Sequence, residues 1–167
     1  MRNVVSWIVG VVAALGLLLI AAGQLGLLQG KRPGNLGVKD GRLKPPSRTP
    51  NSVSSQARLH ADHPQMQYAV IEPLAPRGDA KASMAALRAL VEAQRGATVI
   101  EQRDDYLLAE FSTRLLRFTD DVEFWFDASA GVIHVRSSSR LGRKDFGVNR
   151  ERIERLRAGW VAGWVAG

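Results

Sequence analysis

The hydrophobic pattern changes character twice along the chain, at about residues 29 and 64. Residues 4–28 form an apolar run without one ionisable side chain, in which only Ser6 and Gln24 are clearly polar. At about 1.5 Å per residue, a helix of that length exceeds the roughly 30 Å hydrocarbon layer of a bilayer. Backbone amides in hydrocarbon must be satisfied within their own segment, so the run reads as a transmembrane helix that tolerates Gly10, Gly16, Gly23 and Gly26. Trp7 suits its interfacial end. Between residues 29 and 64 the periodicity disappears. Pro33-Gly34, Asp40-Gly41, Pro45-Pro46 and Thr49-Pro50-Asn51 offer turns and extended pieces, which predicts a linker or a strap over the domain.

Regular patterning returns after Pro64. Tyr68-Ala69-Val70-Ile71 reads as a strand closed by Pro73 and Pro76. A helix follows: Asp79 caps it, Met84, Leu87, Leu90, Val91 and Gln94 share one face, and Gly96 ends it. Residues 98–102, 106–112, 122–127 and 132–137 then alternate as strands, with tight turns at Asp104-Asp105 and Ser129-Ala130-Gly131. A last helix from about Asn149 presents Ile153, Leu156 and Trp160. The expected fold is α+β: a single antiparallel sheet of about five strands with two packed helices, preceded by one N-terminal transmembrane helix. The corresponding division is an anchor at 1–30, a strap at 31–63, an α+β domain at 64–158 and a Gly/Trp tail at 159–167. In that tail Gly159-Trp160-Val161-Ala162 repeats as Gly163-Trp164-Val165-Ala166; its tryptophans suit either a core edge or a lipid surface, and packing is the preferred reading.

An uncleaved anchor competes with a cleaved signal peptide, because Ala21-Ala22-Gly23 supplies small residues for a peptidase. The apolar run continues past that point to Leu28, which favours the anchor. With no cysteine there is no lipoprotein lipidation site, disulfide, thiolate metal site or thiol nucleophile. A positive-inside count, with Arg2 facing Lys31, Arg32, Lys39, Arg42, Lys44 and Arg48, places the domain in the cytoplasm. One apolar segment followed by one domain is also how exported, signal-anchored proteins begin. The expectation adopted is a single-pass protein of the inner membrane, its domain on the periplasmic side of the cell envelope.

The net charge of +7 is uneven: +1 over residues 1–30, +5 over 31–63 and +1 beyond. Within the domain, residues 64–135 carry 7 Lys/Arg against 11 Asp/Glu, and residues 136–157 carry 8 against 3. That basic end can meet an anion. Its dense polar run includes Arg136, Arg140, Asn149 and Arg150 and leads into a helix start, where guanidinia and free amides can hold a phosphate or carboxylate. The structural alternative makes Asn149 an N-cap, Gly142 and Gly147 turn residues, and Arg136 or Arg140 partners of Asp120, Asp121 or Glu123.

Other chemistry is thinner. Alternation puts Asp121 and Glu123 on one strand face and Asp120 on the other, which favours salt bridging over metal binding. His60-x-x-His63 has one-turn spacing, but its loop-like setting and Pro64 argue against zinc. His134 sits in a strand, and Ser54 and Ser55 lack a nucleophile elbow. No cofactor is expected. Only Phe146 accompanies the basic run among aromatics, so no nucleic-acid partner is expected.

Leu36-Gly37-Val38-Lys39-Asp40-Gly41-Arg42-Leu43, Thr49-Pro50-Asn51-Ser52-Val53-Ser54-Ser55, Asp120-Asp121-Val122-Glu123-Phe124, Ser139-Arg140-Leu141-Gly142 and Asp145-Phe146-Gly147-Val148-Asn149-Arg150 together give the chain a family likeness. It resembles the uncharacterised family named domain of unknown function 1499 over residues 36–157. The resemblance implies that the strap joins the domain from about residue 36, and it brings no activity. Many relatives carry cysteines at and before the Pro-Asn-x-Val-Ser-Ser segment, where this chain has Ser52 and Pro46.

The resulting expectation is a non-catalytic, membrane-anchored binding or scaffolding domain with an anion-accepting patch of Asn51, Ser54, Ser55, Arg136, Arg140, Asn149 and Arg150. Its expected partners are the membrane and an anionic small molecule or lipid headgroup. The competing reading is a hydrolase using Asp120, Asp121 or Glu123 with His134.

Overall fold

The computed structural model describes residues 2–165. Helix α1 (Arg2–Gln24) is long and apolar enough to cross a membrane, and none of it is buried against the rest of the molecule within its most apolar stretch. Its last turn nevertheless touches the domain. Gln24 Nε2 donates to the carbonyls of Arg114 and Leu115 at 3.0 and 2.9 Å, and a Cβ added at Gly23 would lie 2.6 Å from the Leu116 carbonyl oxygen. Only glycine allows that approach.

The domain is one five-stranded antiparallel sheet in the order β1-β5-β4-β3-β2, from β1 (Ser52–Ser54), β2 (Ala97–Gln102), β3 (Tyr106–Ser112), β4 (Thr119–Asp127) and β5 (Val132–Ser139). Helices α3 (Ala80–Glu92) and α4 (Val148–Val165) cover one face. Leu107, Ala109, Phe111, Val122, Phe124, Ile133 and Val135 point to that side and meet Met84, Leu87 and Val91 of α3 and Ile153, Leu156 and Trp160 of α4. The other face carries a smaller apolar cluster, Tyr106, Leu108 and Leu43, against which Leu36, Val38, Ile100 and Trp125 pack. The segment around residues 36–43 therefore lies on the sheet as a strap.

One predicted strand is corrected. Tyr68 and Ala69 end a short helix, α2 (Met66–Ala69), while Val70 makes only a single parallel bridge to Ser54; the fifth strand is β1, which pairs Val53 with Ser137 at the sheet edge. Arg150 donates to the carbonyls of Tyr68 and Val70 at 2.6 and 2.9 Å, supplying from a side chain the partners a neighbouring strand would have supplied. Asp79 caps α3 through Ala82 N at 2.7 Å, and Gly96, with φ of +79°, follows its end. Trp160 is buried, donating to the Ala75 carbonyl at 2.9 Å. The side chain of Trp164, and Ala166 and Gly167, lie outside the described residues.

Candidate functional site

Strand alternation sends Asp120 to the helix face and Asp121 and Glu123 to the strap face. Each face becomes a polar network. On the strap face Glu123 is fully buried and accepts from Tyr106 Oη at 2.9 Å, Gly37 N at 2.7 Å and Arg136 Nη1 at 3.1 Å. Arg140 grips both oxygens of Asp121, at 3.0 and 2.6 Å, and pairs with Glu110, which also holds Arg32. Burial raises the Glu110 pKa most, but the hydrogen bonds from Arg140 and Arg32 together outweigh it and leave the carboxyl below its ordinary value. Burial, then the Glu123 carboxylate, pushes the Tyr106 phenol far up.

On the helix face, Asn149 is fully buried. Its Oδ1 accepts from Ser137 Oγ at 2.5 Å and Arg152 Nη1 at 2.8 Å. Its Nδ2 donates to the Asn51 carbonyl, Ser139 Oγ and Asp145 Oδ2 at 3.1, 2.9 and 2.8 Å. Arg152 closes on Asp120 at 2.5 Å. Asn149 lies inside the helix and reaches inward to the sheet; the acceptor that caps the helix start is Asp145, two residues before the N-cap Gly147, and its oxygens accept from Gly147 N and Asn149 N, both at 3.1 Å. Burial pushes the Asp145 carboxyl up, yet the hydrogen bonds from Tyr68, Asn149 and the backbone of Gly147 and Asn149 hold it below its usual range. That cap fixes Phe146 at φ of +53° with its ring 90% exposed, a conformation that costs a bulky residue energy.

The patch residues expected from the sequence are thus spread and mostly occupied. Asn51 and Asn149 converge at the helix face, Asn51 Nδ2 donating to the Gly142 carbonyl at 2.7 Å with its Oδ1 buried and unpartnered. Arg136 and Arg140 lie on the opposite face with their charges matched by carboxylates, and Arg136 Nε is buried without a partner. Arg150 serves α2, and Ser54 Oγ is buried, accepting from Gln56 N at 3.2 Å. Each of these three guanidinia is engaged within the domain, Arg136 and Arg140 by carboxylates and Arg150 by carbonyls.

The hydrolase residues do not assemble. Asp120 is across the sheet from Asp121 and Glu123, and both of those are locked to arginines. His134 Nδ1 lies 3.1 Å from Ser55 Oγ and its Nε2 3.6 Å from Asp127 Oδ2, an order that looks like a triad. Ser55 Oγ, however, accepts from Val135 N at 2.9 Å inside the β1–β5 edge. That bond holds the hydroxyl in the backbone pairing of the sheet edge, so Ser55 is engaged structurally in this arrangement. Burial lowers the His134 pKa, Asp127 offsetting part of that. With the folded value below the unfolded one, folding favours neutral imidazole, and its contribution is present above about pH 6.5 and lost as pH falls below it. Thermal unfolding at pH 7.5 and pH 5 should show this loss, reduced in His134→Gln; His60, lowered by its own burial, adds to the slope in the same direction.

A cavity of about 570 Å³ lies elsewhere, at the end of β3. Arg95 from the α3–β2 turn, Arg114 and Arg117 from the β3–β4 turn, and Arg152 and Arg155 from α4 line it, with Ser112 and Thr113. Phe111 forms its apolar floor, with the Arg152 guanidinium 4.9 Å from the ring centre. Arg152 is neutralised by Asp120. Arg95, Arg114, Arg117 and Arg155 are exposed and make no side-chain hydrogen bond or ion pair among the described residues. No carboxylate lines the cavity. These four residues escaped the sequence reading because three segments supply them, two within the acid-rich stretch at 64–135. The available signal was local: Thr113-Arg114-Leu115-Leu116-Arg117 joins two strands and contains no acid.

Fold and site together define an α+β domain on an apolar N-terminal helix, with an arginine-lined cavity where the helix ends. The chain belongs to the family described as Protein of unknown function (DUF1499), whose model matches residues 42–159. No curated protein and no solved structure matches the chain.

Proposed function

We propose that the protein is a non-catalytic binding domain, tethered to a membrane by α1, that accepts an anion between Arg95, Arg114, Arg117 and Arg155. One observation carries this reading: four guanidinia without partners share one cavity, whereas the buried Arg152 in its wall is paired with Asp120. Like charges repel, so converging them is unfavourable unless an anion completes the set. Asn51, Asn149, Asp145 and Arg140 hold the surrounding backbone and do not touch the ligand; Asn149 and Arg152 link that frame to the cavity wall. The domain belongs on the periplasmic side of the inner membrane, the arrangement of a signal-anchored protein, which a topology reporter fused after Gly167 tests directly.

The binding test uses the detergent-purified full chain and inorganic phosphate, followed by calorimetry. Charge-assisted hydrogen bonds contribute about 1.5–3 kcal/mol each, so Arg114→Gln with Arg155→Gln should weaken binding by roughly a hundredfold or more. Added salt should weaken it in the unsubstituted chain. Equal affinity in the two proteins sinks the reading.

A further inference from the structure

We infer that the anion held by the arginine cavity is the phosphate of an anionic phospholipid in the leaflet from which α1 emerges, an inference that rests on the binding function proposed above. The cavity's position carries it. Arg114, which lines the cavity, offers its carbonyl to Gln24, the last residue of α1, and the adjoining Leu116 backbone sits against Gly23. The arginines are thereby held at the level where an apolar helix leaves hydrocarbon, which is the depth of the headgroup phosphates.

The surface beside the cavity has the matching apolar character. Leu115, on the same turn as Arg114, is 58% exposed. Phe118, Leu141 and Phe146 rim a neighbouring cavity of about 330 Å³ that shares Thr113 with the arginine cavity. Leu141 is also next to Gly30, just beyond the apolar run, so this rim lies along the chain's exit from α1. An aromatic ring 90% exposed and held there by the Asp145 cap is hard to explain in water and has an obvious place in an acyl-chain boundary. A phosphodiester lipid fits this pairing of cations with an apolar rim. A soluble phosphate uses only the cations.

The experiment is native mass spectrometry of the full chain released from detergent micelles, with phosphatidylglycerol or phosphatidylcholine added, alongside calorimetry with inorganic phosphate. The expected result is retention of one phosphatidylglycerol in preference to phosphatidylcholine. Each arginine contributes about fivefold near an anionic surface, so Arg95→Gln, Arg114→Gln and Arg117→Gln combined should weaken retention on the order of a hundredfold. Leu115→Ser with Phe118→Ser, which removes apolar surface without adding charge, should weaken lipid retention and leave phosphate binding unchanged. All these side chains are exposed, and unaltered thermal unfolding confirms that the variants fold. Phosphate binding without any lipid preference, or lipid retention indifferent to the Leu115 and Phe118 changes, overturns the lipid inference and leaves the binding function standing. Failure of both ligands overturns both.

Discussion

Glu123→Ala is expected to destabilise the folded domain by about 3–5 kcal/mol, the cost of stripping one partner from a buried ion pair. Glu123 is wholly buried in the middle strand of the sheet and answers three donors at once, the Tyr106 hydroxyl, the Gly37 amide and the Arg136 guanidinium. Arg136 is itself only 3% exposed, and its Nε already lacks a partner, so loss of the carboxylate leaves a cation that water cannot reach. Denaturant unfolding of the detergent-purified chain, followed by near-ultraviolet circular dichroism, measures the loss. Glu123→Gln keeps an acceptor for Tyr106 and Gly37 and should fall between the two. The decisive control is Glu123→Leu with Arg136→Leu, which removes both charges and should recover most of the stability. If the double variant is no better than Glu123→Ala, the three-donor carboxylate is not what orders this face.

That carboxylate also explains why the strap is attached where it is. Gly37 has φ of +99° and turns its amide towards Glu123, so a segment without periodic hydrophobic residues is bound to the sheet by a polar contact flanked by Leu36 and Val38. Periodicity cannot reveal such an arrangement, because the strap satisfies its backbone through side chains of distant strands. The sheet itself was legible. Leu107, Ala109, Phe111, Val122 and Phe124 alternate with polar or strap-facing residues because two different layers cover the two faces. The separation of Asp120 from Asp121 and Glu123 followed from the same period of two. Residues 68–71 do not form the expected strand because so short an apolar run can be split between elements: Tyr68 and Ala69 close α2, and Val70 bridges β1 at a single position. Strand β1 was missed because Ser-Val-Ser offers a single apolar side chain. The cavity arginines were invisible for a further reason: Arg95, Arg117 and Arg155 come together only when β2, β3 and α4 are in place, and sequence distance says nothing of that.

The second large effect belongs to Asn149→Ala, expected to cost about 3–4 kcal/mol by leaving several buried polar groups short of partners. Asn149 joins three parts of the chain that meet nowhere else through one side chain: the Asn51 carbonyl before β1, Ser137 and Ser139 on β5, and Asp145 with Arg152 around the start of α4. Its amide does this because it donates on one side and accepts on the other, facing a carboxylate with Nδ2 and a guanidinium with Oδ1. Asn149→Asp separates this account from mere loss of volume. The variant keeps the size and the acceptor for Arg152 but sets a second carboxylate against Asp145, whose Oδ2 received the lost N–H. Crowded carboxylates raise one folded-state pKa above the unfolded value near 4. Stability is then fully present below about pH 4 and lost as pH rises through the raised folded pKa, so the deficit should be larger at pH 7 than at pH 5. Asn149→Ala should show no such added dependence. A deficit in Asn149→Asp that stays constant between those two pH values rules out the Asp145 contact as its source. A pH-dependent one ties the frame of α4, and with it Arg152 and Arg155 on the cavity wall, to the orientation of a single buried amide.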